Sequence, residues 1–177
     1  MTIEIKDKGS ESFYRETVNV ISQYRALSKK PEGKLKDNFK LLRSYIVICT
    51  IMLVILAAMA IAWGADSMMV AGMALLAVAA VFSAMYLKSL KSLLKTLMGA
   101  PSDSVLTLDE KGVELDKHSS QTVRLAWDNV LFARVFQESV CFLAKDSTGF
   151  VISVDRKYES EILAWIESNK TGITVIR

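Results

Sequence analysis

The single histidine, His118, sits between Lys117 and the pair Ser119-Ser120. A hydroxyl beside an imidazole is the pairing that nucleophilic hydrolysis uses. Adjacent residues in a turn rarely bring the two into line, and no nucleophile-elbow glycines surround them. A metal site needs three or four converging ligands, and the chain supplies neither a second histidine nor paired cysteines. His118 therefore reads as a solvated turn residue. Cys49 lies in a long apolar run and Cys141 in an alternating apolar segment. Both read as buried small side chains that do not meet. Asp109-Glu110 and Glu159/Glu161 fall at a turn and at a helix start, where acids suit the helix dipole. The eight glycines form neither a phosphate cradle nor a dinucleotide fingerprint. The expectation is a protein without enzymatic activity, metal or cofactor.

What remains is binding. Trp127, followed by Asp128, reads as a core aromatic at the start of a one-turn helix, with ring-mediated binding as the alternative. Phe132, Arg134 and Phe136 alternate on one strand. Exposed, they would make a partner surface; alternatively, the final helix or an amphipathic stalk covers both rings. Arg124, Arg134, Lys145, Arg156 and Lys157 are scattered over a stretch, residues 101–177, with nine Lys/Arg against twelve Asp/Glu. That balance argues against a phosphoinositide-type site and against nucleic acid.

The elements that position these residues are dominated by two apolar runs, Tyr45 to Trp63 and Met68 to Leu87, joined by Gly64-Ala65-Asp66-Ser67. Each has about the twenty residues needed to cross a hydrocarbon core, and neither contains a charge. We expect an integral membrane hairpin. Lys34, Lys36, Lys40 and Arg43 precede it and Lys88, Lys91 and Lys95 follow, while the connection carries only Asp66. By the positive-inside bias both termini are cytoplasmic, at the inner (plasma) membrane of a cell. Lys40, Arg43, Lys88, Lys91 and Lys95 are the candidates for anionic headgroup contact. With no ionisable residue at membrane depth, a transporter or channel is not expected. Small residues four apart (Ala58/Ala62, Ala60/Gly64, Ala79/Ser83, Ala80/Ala84) either pack the hairpin on itself or mediate oligomer contacts.

Four segments follow: a cytoplasmic N-terminal helical segment (1–43), the hairpin (44–87), an amphipathic helix (88–100) and a cytoplasmic domain (101–177). Residues 2–8 alternate weakly as a short strand. Phe13, Val20, Tyr24 and Leu27 give a helix over 11–30 one apolar face, with Arg15 and Asn19 pointing away and Ser10 as its cap. Residues 86–98 keep the helical period, with leucines on one arc and Lys88, Lys91 and Lys95 on its edge; both an interfacial helix and a stalk fit. From 103 the period becomes two. Strands are predicted at 105–109, 113–116, 122–127, 131–136, 140–145 and 149–155, then a helix at 156–168 and a last strand at 173–176, beside 3–5. The turn signals are 110–112, 117–120 and 146–148.

This layout, with Thr107-Leu108-Asp109-Glu110-Lys111-Gly112-Val113, Leu125-Ala126-Trp127-Asp128-Asn129-Val130, Val140-Cys141-Phe142-Leu143 and the run from Phe150 to Tyr158, resembles the YcxB-like bacterial membrane proteins. The resemblance spans residues 40–177 and departs at Ser153-Val154-Asp155, where those proteins usually have a proline. It implies an α+β membrane protein: a two-helix hairpin before a small antiparallel sheet, pleckstrin-homology-like (PH-like) and capped by a C-terminal helix. It transfers no catalytic residues. The expected function is a membrane-anchored, non-enzymatic protein whose cytoplasmic domain binds a protein partner, one version being an immunity protein that neutralises a toxin. The alternative is a self-assembling or lipid-binding protein of the membrane surface.

Overall fold

Strand β1 (Thr2–Ile5) opens the chain, yet its sheet partner lies beyond the apolar helices: it pairs antiparallel with β2 (Ser104–Asp109), Ile3 opposite Leu106. The structure, a computed structural model, describes residues 1–100, 103–117, 121–145, 150–169 and 171–177. It is an α+β fold of two units, Met1–Leu35 with Leu94–Arg177, and Lys36–Leu93. Residues 1–35 of the N-terminal segment thus group with the sheet. They are part of the sheet unit, because an alternating strand finds its hydrogen bonds on a sheet edge rather than alone.

The first sheet continues with β3 (Gly112–Lys117) and β4 (Gln121–Ala126), all antiparallel in the order β1-β2-β3-β4. A single turn, Trp127–Asn129, leads to the second sheet. That sheet contains β5 (Val130–Val135), β6 (Ser139–Ala144) and β7 (Val151–Asp155). After helix α5 (Glu159–Ser168), strand β8 (Val175–Ile176) joins the free edge of β5 in parallel, giving β7-β6-β5-β8. Sequence reasoning set that last strand beside residues 3–5. Instead the β5 edge takes it, Ala133 N–H donating to the Thr174 carbonyl at 2.9 Å. The expected turns at 117–120 and 146–148 fall largely outside the described residues, as does part of the boundary at Gly99–Ser102.

The two sheets and α5 enclose the main core, which includes Leu106, Leu108, Val113, Phe142, Ile152 and Ile162. The second sheet is buried on its other face too. Helices α1 (Glu11–Ser22) and α2 (Tyr24–Lys29) place Val20, Tyr24 and Leu27 with Phe132, Phe136, Cys141 and Leu143. Every residue of β6 is consequently buried, while β2 buries Leu106 and Leu108 alone. The Tyr24 hydroxyl donates to the Ala144 carbonyl. Ser10 caps α1, its Oγ accepting from Phe13 N–H at 3.1 Å. The expected single helix over 11–30 is broken at Gln23, whose ψ of 11° lies outside the helical well. Asn19, which helical spacing turns outward, is buried.

In the other unit, Asp37 caps α3 (Asn38–Trp63), its carboxylate accepting from Phe39 and Lys40 N–H at 3.1 and 3.2 Å. Gly64 ends the helix at φ 86°, a conformation costly for residues with a Cβ. Asp66 then caps α4 (Ser67–Gly99), accepting from Met69 N–H at 2.7 Å. Both helices are long and apolar enough to cross a membrane. Their inward positions recur every three or four residues: Phe39, Leu42, Ile46, Cys49, Leu53, Leu56 and Ala60 on α3, and Met69, Met73, Leu76, Ala80, Ser83, Leu87 and Leu90 on α4. That is the heptad spacing of a left-handed helix pair. A Cβ on Gly72 would stand 3.9 Å from Leu56 Cδ1, so the two helices touch there. Of the expected small-residue pairs only Ala60, Ala80 and Ser83 lie in the seam; Ala58, Ala62, Gly64, Ala79 and Ala84 are exposed.

Ile3 is the test of the N-terminal strand. Ile3→Ala should cost about 2–4 kcal/mol, as other core truncations do. Denaturant unfolding of the detergent-solubilised chain, followed by tryptophan fluorescence, measures it. An unchanged midpoint would mean that β1 contributes nothing to the sheet unit.

Candidate interaction surfaces

The Phe132–Arg134–Phe136 strip is not an exposed surface. Phe132 is 2% and Phe136 7% exposed, and the cover is α1 and α2 rather than the final helix or a stalk. Arg134 lies among them. Its guanidinium donates to the Pro31 carbonyl and to the Gly33 carbonyl at 2.8 Å, and it stacks 4.6 Å above the Phe136 ring. Its Nε is buried without a partner among the described residues. Burial pulls its pKa below the ordinary guanidinium value, opposed by the Glu32 carboxylate. The residue thus fastens the segment between α2 and α3 to the second sheet. The sequence showed a cation on an aromatic strand; it did not show two backbone carbonyls arriving from residues a whole domain upstream.

Trp127 is half-buried. Its indole N–H donates to the Asp109 carbonyl at 2.8 Å, and its ring stacks on Trp165 of α5 at 5.7 Å between centroids. The ring packs partly buried against the main core. Asp109 in turn shapes the β2–β3 turn, accepting from Lys111 N–H at 2.8 Å and Gly112 N–H at 2.9 Å. Partial desolvation would raise its pKa, but these N–H groups and the Arg124 guanidinium outweigh that and hold it below the ordinary carboxylate value. A Cβ at Gly112 would collide with the Leu125 carbonyl and stand 2.8 Å from Ala126 Cα, so only glycine fits.

One side chain that sequence reasoning missed is Glu16. Its carboxylate accepts from Gln137 N–H at 3.1 Å, Glu138 N–H at 3.0 Å and Ser139 Oγ at 2.7 Å, pinning α1 to the β5–β6 turn. Nothing in local spacing marks an acid on a helix flank as the partner of a distant turn. Beneath it, the Cys141 thiol lies 3.3 Å from Ser139 Oγ and 3.2 Å from Ser153 Oγ. Burial pushes its pKa up to about 11, against the opposing effect of the two hydroxyls.

Some of the candidate cations are held in ion pairs and others are not. In the sheet unit Arg124 pairs with Asp109 at 2.6 Å and Glu114 at 3.2 Å, Arg156 with Glu159 at 3.0 Å, and Lys157 with Asp7 at 2.9 Å. These groups are spent internally, as Arg134 is. Lys40, Arg43, Lys88, Lys91 and Lys95 are exposed and form no ion pair among the described residues. No cluster of potential metal ligands occurs among the described residues. His118, Ser119 and Ser120 lie outside them. No protein-family profile, curated protein or solved structure matches the chain.

Two measurements test this packing. Arg134→Met removes the donors to both carbonyls and should lower unfolding stability by about 1–3 kcal/mol; equality with the parent would reduce the contact to surface decoration. In a Cys49→Ala background, Cys141 should resist maleimide at pH 8. With its pKa raised to about 11, roughly one thiol in a thousand is ionised there, and burial blocks the rest. Denaturant should release full reactivity, whereas rapid native labelling would show that α1 does not cover the sheet.

Proposed function

We propose that the chain is a non-enzymatic protein anchored in the bacterial inner membrane by the α3–α4 hairpin. Its sheet unit, PH-like in layout, meets a protein partner at the cytoplasmic face. The observation that carries the anchoring is the place of the hairpin within the fold. Residues on both flanks of it build one unit, β1 pairing with β2. A chain that crosses a bilayer twice returns to the side it left, which is the topology such a unit requires. Basic residues stand at that end of both helices, and only Asp66 at the other, so the positive-inside bias assigns the unit to the cytoplasm. All exposed large hydrophobic side chains among the described residues fall between Leu41 and Met98, with Ile61, Trp63 and Met68 from 77 to 88% exposed. Bare apolar surface of this extent calls for lipid.

Helix α4 runs unbroken from Ser67 to Gly99. An interfacial helix lying on lipid would need a bend near Leu87, so the lysine-bearing segment reads as a stalk that continues the span. Outside α3 and α4 no large hydrophobic side chain among the described residues is exposed. Recognition of a protein partner therefore runs through polar surface, and neither Phe132 nor Phe136 takes part. Neutralisation of a membrane-acting toxin, as an immunity protein would do, is the concrete version of this reading, and likeness to the YcxB-like proteins is part of it. The second reading, a self-assembling or lipid-binding protein, draws on Ala58, Ala62, Ala79 and Ala84, which lie outside the seam where close helix contacts remain open.

The anchor is tested by carbonate washing and by labelling. Membranes should retain the chain at high pH. A membrane-impermeant maleimide should modify Ser67→Cys on spheroplasts and Ser168→Cys only after lysis. Release by carbonate would remove the anchor, and labelling of the second variant on intact spheroplasts would invert the orientation. Capture of one stoichiometric protein partner from mild detergent supports the binding role. Recovery of the chain with itself and lipid alone supports the second reading.

A further inference from the structure

The heptad seam divides the outer surface of the hairpin into two flanks. Counting from the seam, Lys40 and Arg43 fall on the flank of α3 that also carries Val47, Val54 and Ala57. On α4, Lys88 and Lys91 fall on the flank that carries Ala74, Ala77, Val81 and Ala84. In an antiparallel helix pair these two flanks, both following the seam in the same sense of rotation, lie on the same side. The opposite side presents Tyr45, Met52, Ile55, Phe82 and Tyr86. All four cations thus share the smooth side of the hairpin and none the aromatic side. At 1.5 Å per residue they occupy about 8 Å of its length, at the ends of the apolar runs. They are exposed and without ion pairs among the described residues. The nearest acid on either segment, Asp37, is committed to capping α3.

We propose that this side of the hairpin is a binding site for an anionic phospholipid, with Lys40, Arg43, Lys88 and Lys91 holding the phosphate and the valines and alanines below them receiving the acyl chains. The proposal rests on the membrane-spanning reading and deepens it: a general attraction to the leaflet needs only cations at the right depth, whereas a site needs them gathered on one side. Charge selects the occupant. Four cations confined to so short a length repel one another, and a second hairpin docked there in parallel would bring four more. A phosphate group relieves that repulsion. Lys95 stands a turn further along α4 than Lys91, outside this cluster of four, and is not part of the site.

Serine neighbours allow a test at constant composition. Exchanging Arg43 with Ser44 (R43S/S44R) and Lys88 with Ser89 (K88S/S89K) moves two cations off the smooth side without altering net charge or depth. Native mass spectrometry of the full chain in mild detergent, titrated with phosphatidylglycerol or phosphatidylcholine, counts the lipid retained. The parent should prefer phosphatidylglycerol, and the exchanged variant should bind it roughly twenty-five-fold more weakly, about fivefold for each relocated cation. Equal phosphatidylglycerol retention by parent and variant would overturn the site and leave only general attraction. Equal retention of both lipids by the parent would overturn it as well. Carbonate resistance of the parent and the exchanged variant, measured in parallel, reports the membrane span independently, and unchanged tryptophan fluorescence shows that the sheet unit of the variant is folded.

Discussion

The second sheet has two apolar faces, and the organisation of the chain follows from the need to cover both. One face packs on the first sheet and α5. The other, carrying Phe132, Phe136, Cys141 and Leu143, is covered by Val20, Tyr24 and Leu27. Without that cover the second sheet would present a bare aromatic and aliphatic surface to water. The covering helices precede the hairpin and the sheet follows it, so the apolar helices are an insertion within a folded unit rather than a tail appended to one. Burial of one sheet face therefore dictates that both ends of the hairpin meet the same domain.

The polar contacts around this cover reinforce it at points local packing leaves open. Glu16 gathers three donors from the β5–β6 turn, Tyr24 reaches the Ala144 carbonyl, and Arg134 takes the carbonyls of Pro31 and Gly33. Each pairs a residue before the hairpin with one after it. The charge-assisted bonds of Glu16 and Arg134 are stronger than neutral ones, and leaving a buried partner unmatched costs more than the bond itself gains.

For function, the distribution of surface is as informative as any single residue. Among the described residues, large apolar side chains are exposed only on α3 and α4, and Lys40, Arg43, Lys88, Lys91 and Lys95 lie on those same helices. The sheet unit shows a polar exterior over a core closed on both sides. A protein arranged in this way interacts with lipid through the hairpin and with other molecules through polar contacts, which is the division of labour we propose.

Much of this was determined by sequence alone. Charge-free runs of membrane-spanning length, the change of period from 3.6 to two near residue 103, the Asp109–Gly112 turn, the Ser10 cap and the Trp127 core position are local signals, written in residues close together in the chain. Which helix lies on which sheet face is not local. Phe132, Arg134 and Phe136 read equally well as a partner surface or a covered one, because alternation shows that a face is apolar and not what packs on it. The same holds for β8, whose two residues match more than one free edge, and for the small residues of the spans, whose four-residue spacing does not say which turn of the helix faces its neighbour. Glu16 and the carbonyls of Pro31 and Gly33 carried no signal at all, since their partners are separated from them by the hairpin. Periodicity reports the environment of a residue; only the closed three-dimensional packing names its neighbours.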